Sequence, residues 1–160
     1  MGGTFCIVVD SRERQPFALP CESIRKPLPA GDYSVEGMEN RVAVERKSLS
    51  DFVSTVIHNA ERFSRELLLL SAYEAACIVV EADLDAVLRE SCRADLRDVA
   101  PQSMLGAALH IGFRYHVPVF FCGSRQAARA FTEGFLRMYV RIGAGKANGN
   151  AQSKDATSLG

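Results

Sequence analysis

The sequence predicts a mixed α/β domain, in which one sheet starts with antiparallel strands, continues with parallel ones and is covered by helices on both faces. Three observations carry this. Short apolar runs rich in β-branched residues recur over residues 4–9, 42–47, 75–81 and 117–122. Helical periodicities separate the later runs, the order that produces parallel pairing. Between the first two runs, a turn over Gly37 to Asn40 joins a strand from Gly31 to Glu36 with one from Arg41 to Lys47, which is a hairpin.

Composition narrows the class. The 160 residues are 48% hydrophobic, enough for one domain with a real core. Lys plus Arg (19) equals Asp plus Glu (19), so any nucleic-acid binding must rest on a local basic patch. The five cysteines, Cys6, Cys21, Cys77, Cys92 and Cys122, form no C-x-x-C pair and read as reduced, mostly buried thiols of a cytoplasmic protein. No apolar run has membrane-spanning length, and the first residues lack the basic start of a secretory leader, so neither membrane insertion nor secretion is expected.

In chain order, Thr4 to Val9 is a buried strand that ends in Asp10-Ser11-Arg12-Glu13-Arg14. Charges bunched at such a strand end either line a cleft or form a solvated turn. Pro16, Pro20, Pro27 and Pro29 make Gln15 to Pro29 a loop, packed by Phe17 and Leu19. The hairpin that follows brings Asp32 near Glu45. In Val42-Ala43-Val44-Glu45-Arg46-Lys47, alternation sends Val42, Val44 and Arg46 to one face and Ala43, Glu45 and Lys47 to the other.

Ser48 and Asp51 have capping-box spacing. Apolar residues at Leu49, Val53, Val56, Ala60, Phe63, Leu67 and Leu70 then predict one long amphipathic helix. At about 100° per residue, Asp51, Thr55, His58, Arg62 and Arg65 fall on one polar stripe. Such a stripe is either an ordinary solvated side or a surface that continues the site. Ala75 to Glu81 is a buried strand, Asp83 to Ser91 a short helix, Pro101 to Tyr115 a helix with Pro at its start, and Val117 to Cys122 the last strand. Ser124 caps a final helix reaching about Tyr139. From Gly143 the composition shifts to Gly, Ala, Asn, Ser and Lys, so residues 1–142 are expected to form the domain and 143–160 a disordered tail.

A carboxylate and an ammonium two residues apart on one strand face are costly to bury unless a metal or an anion joins them. With Asp32 beside Glu45, the pair offers the one or two carboxylates that Mg²⁺ takes alongside waters and a phosphate. This suits metal-assisted phosphodiester cleavage. In that chemistry Asp32 and Glu45 hold the metal, and Lys47 holds the attacking water or offsets phosphorane charge. Asp10 can hold a second metal, and Arg12 can grip a phosphate with its planar fork.

Asp … Glu-x-Lys alone is a weak pattern. The longer string Gly31-Asp32, Glu45-Arg46-Lys47 and Asp51 resembles the G-D-x(n)-E-R-K-x(3)-D signature of the XPF-type structure-specific endonucleases. Val9-Asp10-Ser11-Arg12-Glu13 resembles that family's V-D-x-R-E stretch, and Ala60-Glu61-Arg62-Phe63 its G-R-[FL] helix motif. The resemblance covers residue 5 to about residue 140. It implies a restriction-endonuclease-like mixed sheet flanked by helices. The implied activity is a Mg²⁺-dependent endodeoxyribonuclease, with Mn²⁺ able to substitute, acting on branched, flap or fork DNA. Position by position, Asp32 and Glu45 match metal ligands, with the Arg46 carbonyl a third, and Lys47 matches the catalytic lysine. Asp10, Arg12, Glu13 and Asp51 match residues lining the same site. The Arg46 side chain, pointing away by alternation, is left a structural or ion-pairing role. Arg62 matches a position for phosphate contact or site support, and Asp51 also serves as a helix cap.

Most of this family carries a tandem helix-hairpin-helix domain after the nuclease domain. None is present in these 160 residues, so the expectation is weak cleavage alone or DNA affinity borrowed from a partner. Family nuclease domains pair through late helices. Phe131, Phe135, Met138 and Tyr139 suit either a homodimer or heterodimer interface or the core. The competing function is a non-catalytic DNA-binding or scaffold subunit of a nuclease heterodimer, against which the complete set of acids and lysine argues. A general or RNA-acting nuclease is a third. His58, His110 and His116 lack metal-ligand spacing, Glu81 is expected to be structural, and Gly143-Ala144-Gly145-Lys146 is too short for a P-loop, so no nucleotide cofactor is expected.

Overall fold

The computed structural model describes residues 4–90 and 101–155. Its order is β1 (Ile7–Asp10), β2 (Ser23–Lys26), β3 (Tyr33–Val35), β4 (Val42–Lys47), α1 (Leu49–His58), α2 (Ala60–Ser71), β5 (Ala75–Val80), α3 (Leu84–Glu90), α4 (Pro101–Tyr115), β6 (Val119–Phe121) and α5 (Arg125–Asp155). Among the described residues the strands form one sheet in the order β2-β1-β3-β4-β5-β6. β3 is antiparallel to both of its neighbours, β1 and β4, while β1–β2, β4–β5 and β5–β6 are parallel. The predicted mixed sheet is therefore present. Because β3 alone runs against the rest, the end of β1, the start of β3 and the ends of β4 and β5 meet at one edge. Open α/β sheets place their ligands at such an edge.

The alternation read in β4 holds. Ala43 joins a core of Phe52, Phe63, Leu67, Leu70, Ile78 and Ile111 beneath α1, α2 and α4. Val42 and Val44 join Ile7, Tyr33, Val79, Ala128 and Leu136 beneath α5. Glu45 and Lys47 therefore emerge on the α1–α2 side and Arg46 on the α5 side.

Three expectations are corrected. The single helix after Ser48 is two helices, broken at Asn59 (φ −125, ψ 27), which ends α1 and starts α2. Ser23–Lys26, inside the predicted proline-bounded loop, is edge strand β2, paired to β1 from Ile7↔Ser23 to Asp10↔Lys26. The prolines lie outside its four residues, where proline is tolerated. The last helix, expected to reach about Tyr139, runs as α5 from Arg125 to Asp155. Cys92, Ser91 and the sequence after Asp155 lie outside the described residues. Cys6 and Cys77 are buried free thiols, and Cys21 and Cys122 are half-buried ones. Among the described residues no helix is long and apolar enough to cross a membrane.

Of the residues suited to pairing, Phe131, Phe135 and Tyr139 pack against the α5-side core, and Met138 is exposed. The aromatic face of α5 is thus turned to the sheet.

Candidate active site

Gly31 opens the site. Its φ of +75 places it in the left-handed region, and a Cβ there would lie 3.0 Å from Ala43 Cβ and 3.2 Å from the Val44 carbonyl oxygen. Only glycine lets the chain turn this close to β4. The Asp32 N–H then donates to the Val44 carbonyl (2.9 Å), and Tyr33 pairs with Val44. One step further along this antiparallel register, Asp32 stands beside Glu45. The Arg46 N–H donates to Asp32 Oδ2 at 2.8 Å, fixing the carboxylate against β4.

Lys47 Nζ donates to Glu45 Oε1 at 3.1 Å and sits 5.0 Å from the centre of the Phe63 ring. Both side chains are largely enclosed, at 10% and 17% exposure for Lys47 and Glu45. Burial pushes the Asp32 carboxyl up to about 8, and the neighbouring Glu45 charge adds to the shift. Burial likewise pushes the Glu45 carboxyl up, against the pull of Lys47. Two acids held side by side in an enclosed site are costly to keep charged there.

Two adjoining cavities share Glu45, Arg62 and Glu66. One, of ≈ 370 Å³, runs past Lys47, Asp51, Thr55 and Asn59. The other, of ≈ 310 Å³, runs past Asp32, Asp10, Arg12 and Leu69. The Arg62 side chain is 79% exposed and 3.6 Å from Glu66, and that of Arg12 is 71% exposed. The groove therefore has acids and Lys47 in its lining, with Arg62 where the two cavities meet and Arg12 in the cavity that holds Asp32.

The other predicted residues divide between the groove and the structure around it. Asp10 is buried, and its oxygens accept from Arg12 (2.9 and 3.2 Å) and from the Leu28 N–H (2.8 Å). Burial pushes its carboxyl up, but these bonds outweigh burial and leave it below its ordinary value. Its carboxylate is thus occupied in holding Arg12 and the 28–30 turn at the groove wall. Glu13, expected to line the site, does not. It faces the α5 side, where it accepts from Arg46 Nε at 3.2 Å. Arg46 also donates to Glu81 at 2.9 Å, which is the ion-pairing role alternation assigns to it. Asp51 caps α1 with Ser48, whose Oγ accepts the Asp51 N–H (3.1 Å) and donates to Asp51 Oδ2 (2.7 Å), and it also lines the groove.

Of the polar stripe, Asp51, Thr55 and Arg62 line the groove, and His58 and Arg65 are not among its lining residues. Glu66 was missed from the sequence. Its signal was the i,i+4 spacing from Arg62.

The donor set fits a hard divalent ion. Asp32 and Glu45 are oxygen donors, and Mg²⁺ and Mn²⁺ take carboxylate oxygen with water and phosphate completing the shell. Among the described residues no group of three or more His, Cys, Asp or Glu is placed to hold a metal, so a closed protein cage of the structural-zinc kind is not present there.

A mixed sheet covered on both faces, with Asp and Glu-x-Lys converging at one edge, defines an α/β domain of the XPF nuclease fold. In comparison with known proteins, XPF from Aeropyrum pernix superposes with a TM-score of 0.66 at 21% identity, over 97% of this chain and 75% of that one. XPF from Aeropyrum pernix in complex with DNA superposes with a TM-score of 0.65 at 23% identity, over 86% and 66%. The Fanconi anemia group M protein of Gallus gallus is 33% identical over 119 residues, 68% of this chain and 6% of that protein's length. The ERCC4 domain model matches residues 9–135. The chain belongs to the ERCC4 domain family, and its fold is that of XPF.

Proposed function

We propose that this protein is a divalent-metal-dependent endodeoxyribonuclease that hydrolyses phosphodiester bonds in branched, flap or fork DNA. The observation that supports it is the convergence of Asp32, Glu45 and Lys47 in the lining of a groove that also holds Arg12 and Arg62. The solved DNA complex of Aeropyrum pernix XPF supports DNA as the ligand class.

Asp32 and Glu45 would hold Mg²⁺ or Mn²⁺, which when bound supplies Lewis acidity toward the phosphate and lowers the pKa of water. Arg12 and Arg62 seat phosphates of the strand by charge-assisted bonds. Lys47, held against Glu45 and the Phe63 ring, presents a fixed ammonium that offsets charge as the phosphorus centre gains an oxygen. Arg46 N–H keeps Asp32 oriented, so the two carboxylates need no rearrangement to act together.

The test is incubation of the purified chain with labelled flap DNA, plain duplex and single-stranded RNA in Mn²⁺ or Mg²⁺. Metal-dependent cutting of the flap ahead of the other two supports the proposal. Binding of the flap with no cleavage at any protein or metal concentration supports the scaffold alternative instead.

A further inference from the structure

Behind the candidate site, on the α5 side of the sheet, lies a second charged cluster. Glu81 follows β5, and its N–H donates to the Lys47 carbonyl at 2.9 Å. Its Oε1 accepts from two guanidinium groups, Arg46 Nη1 at 2.9 Å and Arg125 Nη1 at 2.7 Å. Arg125 is the first residue of α5, and its other amino group donates to the Gln15 and Pro16 carbonyls at 2.7 and 3.0 Å. Arg46 also grips Glu13, and both guanidinium groups lie over the Phe17 ring, at 5.0 Å for Arg125 and 6.0 Å for Arg46. The side chains of Arg46, Glu13 and Glu81 are 9%, 8% and 13% exposed. One carboxylate oxygen thus ties together the ends of β4 and β5, the start of α5 and the loop after β1.

We propose that Glu81 and Arg125 are positioning residues that hold the Asp32–Glu45–Lys47 cluster in register through Arg46. The side chain of Arg46 is fixed by the brace, and its backbone N–H is the donor to Asp32. Glu45 and Lys47 flank it on the same strand. A shift of the Arg46 side chain therefore moves the backbone that aims all three groups, and small errors in aim reduce rate far more than binding. The Glu81 carboxylate bonds Arg46 and Arg125, and it acts on the groove through Arg46, which is itself part of the groove lining. The reaction it serves is the nuclease activity proposed above, on which the kinetic part of the inference rests.

The experiment compares wild type with Glu81→Gln, Arg125→Ala, Arg125→Lys and a core control, Ile111→Val. Two quantities are read: steady-state flap cleavage in Mn²⁺, with kcat and KM separated, and native-state hydrogen exchange at the Arg46 amide. Expected are a fall in kcat of about tenfold or more for Glu81→Gln and Arg125→Ala with KM unchanged, partial rescue in Arg125→Lys, and exchange at Arg46 faster by about tenfold. Ile111→Val, buried in the core on the opposite face of the sheet from the brace, lowers the melting temperature and leaves kcat and the Arg46 amide alone. An unchanged kcat and Arg46 amide in Glu81→Gln overturns the proposal while leaving the nuclease function standing. An inactive wild type whose Arg46 amide still loosens in Glu81→Gln supports the brace and overturns the nuclease function. Equal loss of kcat in Ile111→Val also overturns the proposal, because general destabilisation then explains the effect.

Discussion

The backbone N–H of Arg46 donates to the carboxylate of Asp32 at 2.8 Å, so the strand that carries Glu45 and Lys47 also sets the direction of the acid opposite them. Replacing Asp32 by asparagine keeps an oxygen acceptor for that N–H and removes only the charge. Asp32→Asn is expected to fold normally and to lose metal-dependent cleavage. Asp32→Ala leaves the N–H without its partner and should destabilise by a further amount of about 1–3 kcal/mol. Urea unfolding of the two variants, alongside cleavage of labelled DNA, checks both statements.

Stability should depend on pH in a direction set by the same residue. Without metal, the Asp32 carboxyl is pushed up to about 8 by burial and then by Glu45, against about 3.9 in an unfolded chain. The folded state therefore binds more protons between these values. Its contribution is fully present below about pH 4 and is lost as the pH rises toward 8. Glu45 shifts in the same direction. Asp10, Glu13 and Glu39 shift downward, so their contributions change only in the acid range. The melting temperature of metal-free wild type, relative to Asp32→Asn, should thus fall between pH 5 and pH 8. Millimolar Mn²⁺ at pH 8 should raise it again in wild type and not in the variant, because only wild type gains a ligand in the folded state.

Arg62 is a cation at the groove rim, paired to Glu66 at 3.6 Å with 79% of its side chain exposed. Such a pair adds little stability. Arg62→Ala should unfold within about 0.5 kcal/mol of wild type. Its DNA affinity should fall, and the salt dependence of log K should flatten by about one unit, the signature of one lost phosphate contact. Fluorescence anisotropy across a salt series measures both.

Lys47 is held by Glu45 at 3.1 Å and by the Phe63 ring at 5.0 Å. Lys47→Met keeps an unbranched side chain of similar bulk and removes the ammonium, with its bond to Glu45 and its place over the Phe63 ring. Cleavage should disappear while flap binding persists. Lys47→Arg should not restore the rate, because a planar guanidinium cannot occupy the place of a compact ammonium.

Much of this site was legible in the sequence because it is local. The strand from Val42 to Lys47 announces its two faces by alternation, and the short hairpin fixes Asp32 opposite Glu45. The break at Asn59 was hidden because apolar spacing continues through Val56, Ala60 and Phe63, and periodicity records spacing without recording a change of helix axis. Strand β2 was hidden by its half-exposed edge position and flanking prolines. The brace was legible only in part: alternation gives Arg46 an ion-pairing role, but Arg125 and Glu81 meet across 44 residues and nothing in either neighbourhood names the other. Their contact is a property of the assembled fold.

The most direct measurement is an anomalous difference map from crystals of this protein soaked in Mn²⁺. A peak bridging the carboxylates of Asp32 and Glu45, absent in Asp32→Asn, is the predicted result. A saturated soak with Mn²⁺ bound elsewhere, or with no peak between these two acids, would contradict the metal-dependent nuclease site.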